Sequence, residues 1–174
     1  MSGLTSIILL VAALSAQPMT LEAERGEGIV TVRFEVLDPL PERAETALTT
    51  GAEVRIQYPL RVYARRRMWW DNKIWKGVAE TAVTFDAITG RYLCRLIVNG
   101  ETTVSQEVDS VEVARSWLVA PPPVDLPIPP ARQNAHLRVT VRAVYSRGTT
   151  WLVFPSTTGI DWMEVRLEPP PTDE

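Results

Sequence analysis

At 174 residues, with 45% hydrophobic and 22% charged side chains, the chain has the size and composition of one packed globular domain, which excludes wholesale disorder and a polytopic membrane protein. Its 18 basic and 21 acidic side chains leave a net charge of -3, which excludes wrapping duplex nucleic acid over the whole surface, so any polyanion site must be local. A single cysteine, Cys94, and a single histidine, His136, exclude an internal disulfide and a Cys/His zinc site, and neither a metal nor a cofactor is expected.

Residues 4–16, LTSIILLVAALSA, carry no charge and close on small side chains, the pattern of a secretory signal cleaved after Ser15 or Ala16. A buried N-terminal helix is the alternative. The run is shorter than the roughly 20 apolar residues a bilayer crossing needs, so no integral span is expected in the mature chain. The expected organisation is a signal peptide over 1–16, a flexible segment over 17–28, a β-rich domain over 29–168 and a disordered tail over 169–174. Such a chain is exported, to the periplasm or cell envelope.

Residues 29–37 alternate, with Val30, Val32, Phe34 and Val36 opposite Thr31, Arg33 and Glu35, which predicts a half-buried strand. In LPERAETALTTG, Ala44, Ala47 and Leu48 fall at helical spacing and Gly51 stands where helices end, so a short helix is predicted over 41–50. From Ala52 the period returns to two, with Val54, Ile56, Tyr58, Leu60 and Val62 opposite Glu53, Arg55, Gln57 and Arg61. Pro59 cannot donate to a ladder, which assigns this strand to a sheet edge or a bulge. A weaker strand over 77–85 ends in the turn DAITG, and Asn99-Gly100 links a strand over 91–98 to one over 102–108 in a tight hairpin. Asp109 with Glu112 reads as the cap of a second helix over 109–119, whose inner face is Val111, Ala114, Trp117 and Leu118. Six prolines within 121–130 predict an extended connector with little secondary structure of its own. Leu137, Val139, Val141, Ala143 and Tyr145 then mark one strand, and WLVF (151–154) and residues 161–167 close the chain's ordered part. The fold expected is mainly β: a single antiparallel β-sandwich or open barrel of six to seven strands with two short helices in crossover loops.

This order of strand, helix end (Ala47, Leu48, Gly51), long strand, basic-aromatic RRRMWWD, FDAITGRY and hairpin into a short helix resembles a family of exported bacterial proteins, domain of unknown function four-three-nine-zero. The resemblance covers residues 30–118 and, more weakly, the closing GIDWMEVRLEP, while the proline-rich crossing departs from the family pattern. It implies an exported, mainly β domain and carries over no activity and no catalytic residue.

The residues give little chemistry. Histidine is the residue type best suited to a general base near neutral pH, yet His136 alternates with Arg138 and Arg142 on the polar side of its strand. Cys94 shares a face with Tyr92 and Leu96, which suits a packed core thiol. No nucleophile elbow, glycine-rich phosphate loop or histidine pair is present. A carboxylate pair drawn from Asp71, Glu80, Asp86, Asp161 and Glu164 is the route to the alternative reading, a small envelope hydrolase. The outward arginines (Arg33, Arg55, Arg61, Arg91, Arg95, Arg138, Arg142) are expected to pair across strands with Glu35, Glu53 and Glu80. The most informative segment, residues 55–76, holds seven basic side chains against Asp71 alone, with Trp69, Trp70 and Trp75 among them. It points to an exported cell-envelope binding or scaffolding domain that sets Arg65, Arg66, Arg67, Trp69, Trp70 and Lys73 against a protein partner or an anionic envelope surface, and not against nucleic acid. A strand end with core tryptophans and solvated arginines is the competing explanation of the same residues.

Overall fold

Val54, Ile56, Tyr58, Leu60 and Val62 are each at most 6% exposed, and they mark the middle of the molecule. They lie on β3 (Val54–Ala64) in a computed structural model that describes residues 17–65, 71–145 and 159–169. Around β3 an antiparallel sheet runs in the order β10 (Met163–Leu167), β8 (Leu137–Val141), β3, β4 (Asn72–Asp86), β5 (Arg91–Val98) and β6 (Glu101–Val108), and the short β9 (Val144–Tyr145) also pairs with β3. A second sheet has the order β1 (Met19–Arg25), β2 (Ile29–Val36), β7 (Val124–Pro127).

The apolar sides of both sheets meet in one core, with the rings of Phe34 on β2 and Tyr58 on β3 4.5 Å apart. Helices α1 (Glu42–Thr50) and α2 (Val111–Val119) bring Leu48, Ala114, Trp117 and Leu118 into the same core. The end of α2 leaves carbonyls without helical partners, and the sheet supplies them: Tyr58 donates to the Leu118 carbonyl at 2.6 Å and Thr81 at 3.1 Å. Arg115 on α2 clamps Glu45 on α1, with guanidinium–carboxylate distances of 2.7 to 3.1 Å. The result is a mainly β, sandwich-like fold, and its large sheet is not closed into a barrel. One face of that sheet lies on the core, while Arg55, Gln57, Pro59, Arg61 and Tyr63 alternate onto the outer face.

Several expectations need correction. The segment 17–28, expected to be flexible, holds β1, in which Met19 is fully buried and Leu21 and Ala23 pack against the core. The proline-rich connector contributes β7, whose Val124 and Leu126 are buried where it pairs with β2 at the edge of the small sheet. Prolines are tolerated there because an edge strand needs ladder donors on one side only. The strand read over 137–145 breaks at Arg142-Ala143 into β8 and β9, so ten strands are described where six to seven were expected. Nor is β3 an edge. The Pro59 carbonyl accepts from the Arg142 N–H at 3.4 Å, so its imino nitrogen faces the gap between β8 and β9, and the irregularity in β3 falls at Val62/Tyr63 instead. β4 begins at Asn72, which lengthens the predicted weak strand to 15 residues. Ser110, not Asp109, caps α2, through its Oγ to the Val113 N–H. The Asn99-Gly100 hairpin is as read, with φ of 51° and 88° at the two residues, the positive values a tight two-residue turn needs. The expected signal peptide and the WLVF strand lie outside the described residues.

Candidate functional site

The β3–β4 hairpin carries the basic segment. Its paired arms end at Ala64 and Asn72, so Arg65 and Asp71 flank the tip, and Arg66, Arg67, Trp69 and Trp70 of the candidate site lie outside the described residues. Arg65 is exposed, and its N–H donates to the His136 carbonyl at 2.9 Å. Lys73 is exposed opposite Tyr63 on the outer face. Trp75 departs from the surface reading: it stands opposite buried Val62, packs against the core, and lies so close to Gly77 that a Cβ there would collide with its indole.

Register now shows what surrounds the hairpin. One outer row crosses the sheet as Glu164, Thr140, Arg61 and Lys76, and the next as Arg166, Arg138, Tyr63 and Lys73. Trp162, just ahead of β10, reaches over this face, with the Arg61 guanidinium 4.1 Å and the Arg142 guanidinium 5.1 Å from its ring centre. Thr140, beneath the cluster, is only 8% exposed although it stands on the outer face. Arg138 lies over the Tyr63 ring at 4.7 Å and is shared by Asp71 at 2.9 Å and Glu164 at 3.3 Å, while Arg166 also reaches Glu164, at 3.2 Å. Among the described residues, no ion pair involves Arg61, Arg65, Lys73, Lys76 or Arg142.

The other half of the same face is neutralised. Glu53 accepts from both Arg55 and Arg95, Arg55 also reaches Glu80 at 2.6 Å, and Arg91 pairs with Glu107 at 3.3 Å. Burial alone would raise the Glu53 carboxyl, but the hydrogen bond and charge of Arg55, with the charge of Arg95, hold it below its ordinary value. The expected partners Glu53 and Glu80 are thus in place. Arg33 instead pairs with Glu24 of the unforeseen β1, at 2.9 Å.

Four of the five carboxylates named for a hydrolase, Asp71, Glu80, Asp86 and Glu164, are each engaged by other groups. Asp71 and Glu164 meet only through Arg138, Glu80 is held by Arg55 and Gln57, and Asp86 is spent on its own turn, with Ile88 N–H and Thr89 lowering its pKa. Of two clefts in the sheet's outer surface, one of about 190 Å³ is lined by Arg65, Asp71, His136, Arg138, Arg166 and Glu168, and the second by Glu53, Asp86, Arg91, Arg95 and Glu107; each holds one of the five carboxylates. His136 is exposed, with Nδ1 2.7 Å from Glu168. Cys94 is fully buried, and burial pushes its thiol up to about 11, as suits a core residue. Among the described residues, no helix is long and apolar enough to cross a membrane, and no group of three His, Cys, Asp or Glu could hold a metal ion.

The sequence reading missed Arg138, Arg142 and Trp162 as members of this surface. A tryptophan sharing parity with Glu164 and Arg166 was the available sign, since it puts an indole on a polar face. The chain belongs to the family described as a domain of unknown function (DUF4390), whose model matches residues 13–151. The match takes in β1 and the proline-rich crossing, beyond the 30–118 span of the resemblance, and stops short of β10. No curated protein and no solved structure matches the chain.

Proposed function

We propose that the chain is an exported binding domain of the cell envelope that lays the basic, aromatic end of its large sheet, with the hairpin residues Arg65, Arg66, Arg67, Trp69, Trp70 and Lys73, against an anionic surface. One observation carries this reading. The outer face is neutralised pair by pair around Glu53, yet toward the hairpin Arg61, Arg65, Lys73, Lys76 and Arg142 form no ion pair among the described residues. A sheet that can match its arginines so closely at one end has left a net positive field at the other, and such a field attracts anions over about one Debye length. Export is supported by the uncharged run over 4–16 that ends in small residues.

The test is binding of the purified chain to vesicles rich in phosphatidylglycerol against vesicles of phosphatidylcholine, over a salt series. Each basic side chain near an anionic membrane contributes about 1 kcal/mol, so changing Arg65, Arg66 and Arg67 together to Ser is expected to weaken attachment by at least tenfold. Attachment unchanged in the folded triple variant sinks the reading. Binding to an acidic protein but to no vesicle replaces the surface with a protein partner. Mass spectrometry of the natively produced chain tests export: a start at Ala16 or Gln17 outside the cytoplasm supports it, and an intact Met1 in the cytosol overturns it.

A further inference from the structure

Arg61 and Arg142 share the indole of Trp162, and Lys76 stands directly across from Arg61 on β4. Like charges directly opposite in a sheet repel, and here no carboxylate among the described residues pairs with any of the three. The nearest acid in the row, Glu164, is engaged by Arg138 and Arg166. Stacking on Trp162 fixes the two guanidiniums and spares each the side-chain entropy that closing on a ligand otherwise costs.

Resting on the reading of this face as an anion-binding surface, we propose that Arg61, Arg142 and Lys76, held by Trp162, form a specific site for a phosphate group. Three cations on one patch of the face, two on a shared indole and the third directly across the ladder, exceed what a carboxylate can satisfy, since it brings one charge and two oxygens. A phosphate offers a tetrahedron of oxygens, matches the guanidinium fork two atoms at a time, and leaves an oxygen for the ammonium. The group is therefore a phosphomonoester, with three terminal oxygens and up to two charges, carried either by a lipid headgroup of the phosphatidate kind or by a small soluble molecule. Trp162 is a positioning residue, acting through the two arginines.

The experiment follows thermal unfolding of the full chain in sodium phosphate against sodium chloride at matched pH and ionic strength, and in parallel binding to vesicles containing phosphatidate, a phosphomonoester, against phosphatidylglycerol vesicles. Phosphate is expected to raise the unfolding midpoint saturably, because a ligand that binds only the folded state stabilises it by mass action. R61Q/R142Q is expected to weaken the apparent phosphate affinity at least tenfold, K76Q by about twofold to fivefold, and W162F to an intermediate degree. Circular dichroism confirms the fold of each variant, and K76Q changes an exposed side chain without ion-pair partners among the described residues, so it keeps the test informative should the double variant unfold. Loss of phosphate and vesicle responses together in R61Q/R142Q supports a headgroup source, and loss of the phosphate response alone supports a soluble one. A phosphate response that is absent in the native chain, or unchanged in R61Q/R142Q and K76Q, overturns the site. Vesicle binding that then still depends on Arg65, Arg66 and Arg67 leaves the broader surface reading standing.

Discussion

The two ends of the large sheet's outer face are built from the same residue types and solve the same problem differently. Around Glu53 each arginine finds a carboxylate: Arg55 has Glu53 and Glu80, Arg95 has Glu53, and Arg91 has Glu107. Toward the β3–β4 hairpin three arginines lie on aromatic rings instead, Arg61 and Arg142 on Trp162 and Arg138 on Tyr63, and among the described residues of this end Arg138 and Arg166 meet acids. A ring attracts a cation without cancelling its charge, whereas a carboxylate cancels it. Stacking therefore orders the side chains of one half and preserves their field, while pairing in the other half removes it. The first arrangement suits recognition of an anion and the second suits a sheet surface that has only to stay folded.

The largest effect separates the two faces of β3 within the basic half. Leu60 is fully buried and its neighbour Arg61 faces outward, so Leu60→Ala is expected to cost about 2 to 5 kcal/mol by denaturant titration, whereas polar replacements of Arg61 should stay within about 1 kcal/mol. An equal cost for both would dissolve the distinction between supporting core and free outer face. Next comes the neutralised half. Glu53→Gln leaves Arg55 and Arg95 facing each other without their shared acid, and solvent screening keeps the expected loss to about 1 kcal/mol. The sign with pH follows from the lowered carboxyl. Its contribution is complete above the ordinary value of 4.5, fades as pH falls through the lower folded value, and should be missing from the acid limb of the stability curve in Glu53→Gln. An acid limb identical in the two proteins would show that Glu53 is not the residue on which this half depends.

The sequence made the strands with apolar alternation legible, because β2 and β3 bury one side only and period two is then unmistakable. Both helices were found from apolar spacing, with Gly51 marking the end of α1 and the cap of α2 misplaced by one residue. β1 alternates as clearly, with Met19, Leu21 and Ala23 against Thr20, Glu22 and Glu24, but its acidic side reads as solvent and its neighbourhood as a linker. β7 was hidden by prolines that only an edge position accommodates. The site was less legible than the fold. Residues 55–76 declare their charge in one dimension, but whether that charge is cancelled depends on strands far away in sequence. Glu80 comes to Arg55 across a single hairpin, whereas Trp162 meets Arg61 only once β10 and β8 are placed beside β3. Charge density is a local property, and neutralisation is a property of sheet order.

The smallest expected effect is the sharpest test of the comparison, because its sign is opposite to ordinary experience with surface charge. Arg61→Gln would be ambiguous, since it relieves repulsion and also removes a stacked cation from Trp162. Lys76 has no ring and no acid among its described contacts, only Arg61 directly opposite, so Lys76→Gln removes repulsion and little else. It should raise stability in chloride by about 0.3 kcal/mol at low ionic strength. The gain should vanish near 1 M salt, where the Debye length contracts to about 3 Å from about 10 Å at 0.1 M. Chemical denaturation by urea, which adds no ions, measures this directly at both salt concentrations. A protein that becomes more stable and binds phosphate less well after one change has been holding that lysine for binding rather than for folding. Should Lys76→Gln destabilise the chain at low salt instead, Lys76 would have an anionic partner within the protein, and the two halves of the face would no longer differ in kind.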